Sequence, residues 1–280
     1  MPIKVYKKNR AARKNSSIVD RSDLTRKAPH KALVHGRKRI SGRGSAGKIT
    51  IRHRGGGAKK LARVVDFGQT KLEVPARIEA IEYDPNRSAF IALMLYKDGE
   101  RRYVLAWEGA KVGQEVVTKE HAPEKVGNRM QLQHITPGLE VFNVELAPGR
   151  GGKLFRAAGS YGILMDTQDE YAQLKMPSGE IRLIPKEAYA TLGKVSNPDH
   201  RLARIGSAGR SRRMGRRPQV RGKAMNPVDH PHGGGEGAQP IGLKRPKTKW
   251  GKPALGVKTR QRNKYSNHLI LNRRTSKKRK

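Results

Sequence analysis

Nearly all the excess positive charge of this 280-residue chain sits at its two ends, while most of the material for a hydrophobic core lies between them. Residues 1–63 carry 20 Lys and Arg against 2 Asp and Glu, a net +18. Residues 64–196 carry 17 against 18, and residues 197–280 carry 24 against 3, a net +21. A core forms by removing apolar side chains from water, and the 133-residue middle is long enough for one core or two small barrels. Residues 197–280 hold 11 Gly and 7 Pro, with Trp250 and Tyr265 as their only aromatic residues. Such a stretch buries too little apolar surface to offset its ordering entropy, so it is expected to be extended or disordered until a partner supplies contacts. The pattern predicts a near-neutral globular anchor with two basic arms built to lie along a polyanion, most commonly nucleic acid.

Composition removes several function classes. The chain has no cysteine, so disulfides and thiolate metal sites are excluded, which fits a reducing compartment. The first ten residues, MPIKVYKKNR, contain no apolar stretch of signal-peptide length. The longest apolar run, residues 90–96, is far short of a membrane span. The arms lack the long apolar face that membrane-surface binding requires. The expectation is a soluble intracellular protein with no membrane partner.

The middle reads as mainly β. Residues 74–83 (VPARIEAIEY) alternate around Ala76, Ile78 and Ala80, then flip at Ile81 and Tyr83, predicting a bulge or bend. Asp84-Pro85-Asn86 signals a turn. Residues 88–96 form a nearly all-apolar strand, expected to be buried on both faces, and Asp98-Gly99 turns it into residues 101–107 (RRYVLAW). Short strands with tight turns predict a small closed barrel rather than βαβ units. A second set of strand signals begins near residues 131–135 and 140–146. It continues through 159–166, 171–176 and 180–184, with Pro177-Ser178-Gly179 closing the last hairpin. One stretch reads as helix, residues 186–192, with Gly193 placed to stop it. A boundary near Ala122-Pro123 gives barrels at 61–123 and 124–196, between a basic extension at 1–60 and a basic Gly/Pro-rich extension at 197–280.

The arms mix Gly, Arg and Lys irregularly, as in SGRGSAGK, RHRGGGAKK and SAGRSRRMGRRPQVRG. Glycine lets a backbone pass close to phosphates, Arg and Lys neutralise them, and Arg also stacks on bases. The mixture suggests packing into the grooves of a folded RNA, with DNA open on composition alone.

Three motifs carry competing chemistry. Residues 42–48 (GRGSAGK) match G-x-G-x-x-G, and Asp66 lies at a suitable distance for a ribose contact. A dinucleotide site needs an apolar strand before the loop and a helix after it. Here HGRKRI precedes it, and residues 49–52 look like a strand. The loop also lies one residue from a Walker loop, with Ile49 where the metal-binding Ser or Thr belongs. A flexible basic loop is the better reading. His230 and His232, in NPVDHPHGGGEG beside Asp229, fit a metal site, an acid/base pair or an RNA-contacting loop. The run Gly233, Gly234, Gly235 implies close backbone approach and favours the loop. Phe90 and Trp107 read as core. Trp250, amid Lys244, Arg245, Lys247, Lys249 and Lys252, either stacks on a base or sugar or packs locally.

The segment GKAMNPVDHPHGGGEG at 222–237 resembles the signature of the universal large-subunit ribosomal protein two family. MPIKVYKKN, ITIRHRGGGAKK, VVDF, IEYDPNRSAFIAL, GNRMQLQHITPG, NVELAPGRGGKLFRAAG and WGKPALGVKTR agree in order and spacing, so the likeness spans nearly the whole chain. Asp229, His232 and Glu236 look like the bacterial or organellar form. The chain departs from the pattern at Ala58, where His is common, and at Ala238-Gln239, where Gly-Arg is common. The resemblance implies an OB-fold barrel followed by an SH3-like barrel, and primary binding to large-subunit rRNA. It also implies roles in subunit association, tRNA binding and the architecture of the peptidyl-transferase centre.

The same resemblance places Asn226, Asp229, His230, His232 and Gly233 to Gly235 near that centre as RNA contacts, with catalysis left to RNA. Candidate RNA-binding residues in the first arm are Arg37, Lys38, Arg39, Arg43, Lys48, Arg52, His53, Arg54, Lys59 and Lys60. Those in the second are Arg210, Arg212, Arg213, Arg216, Arg217, Arg221, Lys223, Lys244, Arg245, Trp250 and Arg260. No cofactor or protein-bound metal is expected, Mg2+ sitting mainly on RNA oxygens, and no small-molecule substrate. Neighbouring ribosomal proteins and the small subunit are the further expected partners, in a cytoplasmic or organellar ribosome. A nucleic-acid architectural protein outside the ribosome and a nucleotide-dependent enzyme are the alternatives.

Overall fold

The computed structural model describes residues 3–6, 15–237 and 239–274. Parts of the MPIKVYKKN landmark, Ala238 and residues 275–280 lie outside them. The chain forms two compact units. The first comprises Met1–Lys38, Lys59–Arg210 and His268–Lys280, and the second Arg39–Ala58 and Ser211–Asn267.

In the first unit β1 (Ile3–Val5) pairs with β2 (Ser17–Val19), and β3 (Val34–Gly36) with β4 (Leu61–Arg63). Strands β5 (Ala76–Glu82), β6 (Ile91–Tyr96), β7 (Arg101–Leu105) and β8 (Glu115–Val116) form an antiparallel sheet in the order β7-β6-β5-β8. A parallel bridge from Val65 to Tyr103 extends it. The register of β5 shifts between Ile78 and Ala80. This bulge sends Ala76, Ile78 and Ile81 into the main core and Ala80 into a small cluster with Ile91, Leu93 and Tyr103. The flip read from the sequence is therefore real, but it ends at Ile81, since Tyr83 is 40% exposed. Ile91, Ala92 and Leu93 are fully buried, as expected of a strand covered on both faces.

The next strands are β9 (Arg129–Gln131), β10 (Glu140–Phe142), β11 (Val144–Glu145), β12 (Gly152–Leu154), β13 (Gly162–Gln168), β14 (Tyr171–Lys175), β15 (Ile181–Pro185), β16 (Tyr189–Leu192) and β17 (Ile270–Asn272). Seven of them form a sheet in the order β17-β15-β14-β13-β10-β16-β9, while β11 pairs with β12. The architecture is mainly β, an OB-fold barrel followed by an SH3-like barrel. One buried core runs through both, from Ala76 and Phe90 through Trp107 to Leu164 and Val195.

Three local expectations are corrected. Residues 186–192 are not a helix: turns lead into β16, which lies between β9 and β10. Ala188, Ala190, Thr191 and Leu192 are all buried, and pairing on both edges overrides the helix preference of the alanines. Residues 131–135 are mostly a 3-10 turn, Leu132–His134, following β9. Residues 49–52 hold only an isolated bridge, Ile49 to Arg43.

Arg129 is the largest fully buried side chain. Its Nη2 donates to Glu145 Oε1 at 2.9 Å, and its Nη1 donates to the Asn143 carbonyl at 2.8 Å. Glu145 Oε2 in turn accepts the Gly149 N–H. Burial lowers the proton affinity of this guanidinium, and the adjacent carboxylate opposes that shift.

Candidate nucleic-acid interface

The second unit is assembled from pieces of both basic arms. Arg54 bridges Arg216, and the Gly55 N–H donates to the Gly215 carbonyl at 3.1 Å. The Ala58 N–H donates to the Arg213 carbonyl at 2.9 Å, and the Arg217 N–H to the His53 carbonyl at 3.0 Å. The backbones approach so closely that a Cβ on Gly57 would meet Gly215 N at 2.9 Å. The RHRGGG run thus serves contact between chain segments. Helix α1 (Ala208–Arg213) has no buried residue, Arg210 and Ser211 being half-buried.

These two segments hold 20 Lys and Arg against only Asp229 and Glu236. Among the described residues, every side-chain ion pair involves groups of the first unit, and none belongs to the second. Arg39, Lys48, Arg52, Arg54, Arg212, Arg213, Arg216, Arg217, Arg221, Lys244 and Arg245 are exposed, and Lys223 is half-buried. Trp250 is 70% exposed, with Lys249 Nζ 4.8 Å and the Arg52 guanidinium 5.7 Å from its ring centre. An indole joined to no core and flanked by cations is suited to stacking on a base.

Other expected contacts are committed within the protein. The Arg210 guanidinium donates to the carbonyls of Ser17, Arg204 and Ile205. Arg260 holds the Tyr265–Asn267 turn through Asn267 Oδ1 and Ser266. Arg43 closes its own loop on the Gly47 carbonyl at 2.8 Å. That 42–48 loop is a chain of turns with no helix after it, so it lacks the frame of a phosphate-binding loop. In the first unit, Lys38 and Lys59 are exposed, Lys60 is half-buried, and Arg37 donates to Asn86 Oδ1 at 3.0 Å.

The loop at 222–237 has its own internal geometry. The His232 N–H donates to His230 Nδ1 at 3.0 Å, and the Lys247 N–H to His232 Nε2 at 2.8 Å. Each histidine accepts through one nitrogen, which leaves the proton of neutral His230 on Nε2 as a donor. Burial, then His232 and Arg52, push the His230 pKa below its ordinary value and favour this neutral form. A Cβ on Gly222 would lie 2.6 Å from the His230 ring, and one on Gly233 2.3 Å from the Asn226 carbonyl. The close approach signalled by the glycine run is therefore made within the loop. The Gly234 N–H donates back to the Met225 carbonyl at 3.0 Å. Asn226, Pro227, Val228 and Asp229 stay exposed, with Val228 at 93%. Among the described residues, no three His, Asp or Glu side chains come together in a way that would hold a metal.

The family model for Ribosomal Proteins L2, RNA binding N-terminal domain, matches residues 30–118. That for Ribosomal Proteins L2, C-terminal domain, matches residues 125–251. The chain belongs to the ribosomal protein L2 family. It is a large-subunit ribosomal protein that binds rRNA within the ribosome, and the family is structural rather than catalytic. No helix among the described residues is long and apolar enough to cross a membrane. The L2 match at 30–118 also contains cations outside the candidates read from the sequence, among them Arg63 and Arg87. These two line a cleft with His35, Arg37 and Lys38; Arg63 is the last residue of the basic first segment, and Arg87 lies within the near-neutral middle, where charge counting gives no signal. The turn sequence offered a cue. Buried Asp84 accepts the Asn86 N–H at 2.8 Å and pairs with Arg87 at 2.5 Å, as an Asp at the head of a turn does.

Proposed function

We propose that this chain is a bacterial- or organellar-type L2 that anchors its two barrels on large-subunit rRNA and inserts its basic unit among RNA helices. In this reading, Arg52, Arg54, Arg212, Arg213, Arg216, Arg217 and Arg221 contact phosphates, and Trp250 stacks on a base. The 226–235 loop helps shape the peptidyl-transferase centre, with His230 donating its Nε2 proton to an RNA acceptor rather than acting as a base. Support of tRNA binding and of subunit association belongs to the same reading, as do contacts with neighbouring ribosomal proteins and the small subunit. Mg2+ is held by the RNA, and the protein works without a cofactor in a cytoplasmic or organellar ribosome.

The observation that carries this reading is the unneutralised charge of the second unit, 20 cations facing two carboxylates with no internal ion pair among the described residues. Only a polyanion completes such a surface. The test is binding to large-subunit rRNA and to an unrelated structured RNA across a salt series. A preference that persists or widens as salt rises supports the reading, and a joint collapse of both affinities contradicts it.

A further inference from the structure

Arg63, at the end of β4, lines two depressions in the first unit. One is the cleft of about 390 Å3 shared with His35, Lys38 and Arg87. The other is a groove of about 870 Å3 lined by Arg21, Lys27, Tyr83 and Glu82 among others. Glu82 is 4% exposed. Its Oε2 accepts the Tyr103 hydroxyl at 2.9 Å, while its Oε1 is buried without a partner, as is the Nε of Arg63. The Arg21 guanidinium lies 3.6 Å from the centre of the Tyr83 ring.

Together these features select a ligand. Among the described residues neither Lys38 nor Arg63 forms a direct ion pair, although the charge of Arg63 acts on buried Glu82, and Arg87 is fixed in place by Asp84, so the cleft holds cations that suit an anion. A flat guanidinium stacked on a half-open aromatic ring offers its outer face to a second planar group, as a nucleobase is. Glu82 Oε1 and Arg63 Nε, buried there without a protein partner, are polar atoms that a ligand or water can satisfy. A base-paired helix hides its bases in the stack and cannot lay one on Arg21.

We infer that the groove on either side of Arg63 takes an unpaired nucleotide of the RNA partner. Its phosphate lies on Arg63, Lys38 and Arg87, and its base on the outer face of the Arg21–Tyr83 pair. This deepens the RNA-binding reading and rests on it. It also extends the interface upstream of the family match, which begins at residue 30.

The test is photocrosslinking of the full chain to a single-stranded tetranucleotide carrying 4-thiouridine, and to the same probe in a duplex, with crosslinked peptides mapped by mass spectrometry. The expected result is a single-strand crosslink within residues 18–27 or 83–87 that the duplex does not give. In R21A and Y83L, exposed-site variants whose folding is checked by circular dichroism, that crosslink falls about tenfold while crosslinks in the basic unit are unchanged. Crosslinks confined to the basic unit, or groove crosslinks indifferent to both variants, overturn the inference. Loss of rRNA preference in the salt series with groove crosslinks intact defeats the ribosomal reading instead, so the two failures are distinguishable.

Discussion

The two units of this protein are held by opposite means. The barrels bury Ile91, Leu93, Leu132, Leu164 and Leu174 completely and pair many of their charges. In the basic unit no apolar side chain among the described residues is buried. Ile40, Ile49, Ile51, Val220 and Leu255 are all more than half exposed. Its shape comes from backbone hydrogen bonds and glycine-enabled close approaches, which contribute little net stability in water. One sequence thus contains a unit that carries its own driving force for folding and another whose driving force lies in its partner.

Truncation after Arg210 is the largest way to break that contrast. It removes the basic unit's C-terminal segment and the edge strand β17, so affinity for large-subunit rRNA at physiological salt should fall roughly a thousandfold or more. Circular dichroism should still report folded barrels, and their loss would mean that the anchor is not autonomous. Glu145→Ala acts on the other side. It strands the buried Arg129 guanidinium and should cost about 3–5 kcal/mol in denaturant unfolding, while leaving the salt slope of RNA binding unchanged.

Trp250→Ala should weaken RNA binding about tenfold with no change in barrel stability or salt slope, because stacking rather than charge is removed. The smallest effect concerns Glu82, whose pKa is raised, mainly by burial, above its ordinary 4.5. A raised carboxyl pKa means the folded state binds the proton more tightly, so this group opposes folding when ionised at neutral pH. Its penalty lifts as pH falls toward 4.5. Glu82→Gln should therefore stabilise the barrels slightly at pH 7 and flatten the pH dependence between 7 and 4.5, read from thermal unfolding. A destabilised variant at pH 7 would show that the Tyr103 contact outweighs burial.

The sequence was most legible where local chemistry and tertiary structure agree. The hairpin at Asp98-Gly99 forms as read, with the Gly99 N–H bonded to the Tyr96 carbonyl and Gly99 at φ +86°. Residues 186–192 misled because alanine favours helix locally, and only the partner strands, not known from the sequence, make this stretch a strand. The pairing of 39–58 with 211–267 was invisible, since nothing local in either segment announces a contact so distant along the chain. At the candidate interface, composition found the cations but could not separate Arg210 and Arg260, bonded inward, from exposed Arg212 and Arg217. It also passed over Arg63 and Arg87, whose convergence depends on strand pairing and on the turn at Asp84.

Amide hydrogen exchange on the full chain, free and bound to large-subunit rRNA, tests the central contrast most directly. The Leu132 and Leu192 amides in the barrels and the Ala58 and Arg217 amides in the basic unit all donate backbone hydrogen bonds. The account predicts slow exchange at Leu132 and Leu192 in both states. At Ala58 and Arg217 it predicts fast exchange in the free protein, slowed at least about a hundredfold on RNA. Equal protection of all four amides without RNA would contradict it, because the basic unit would then be stable by itself.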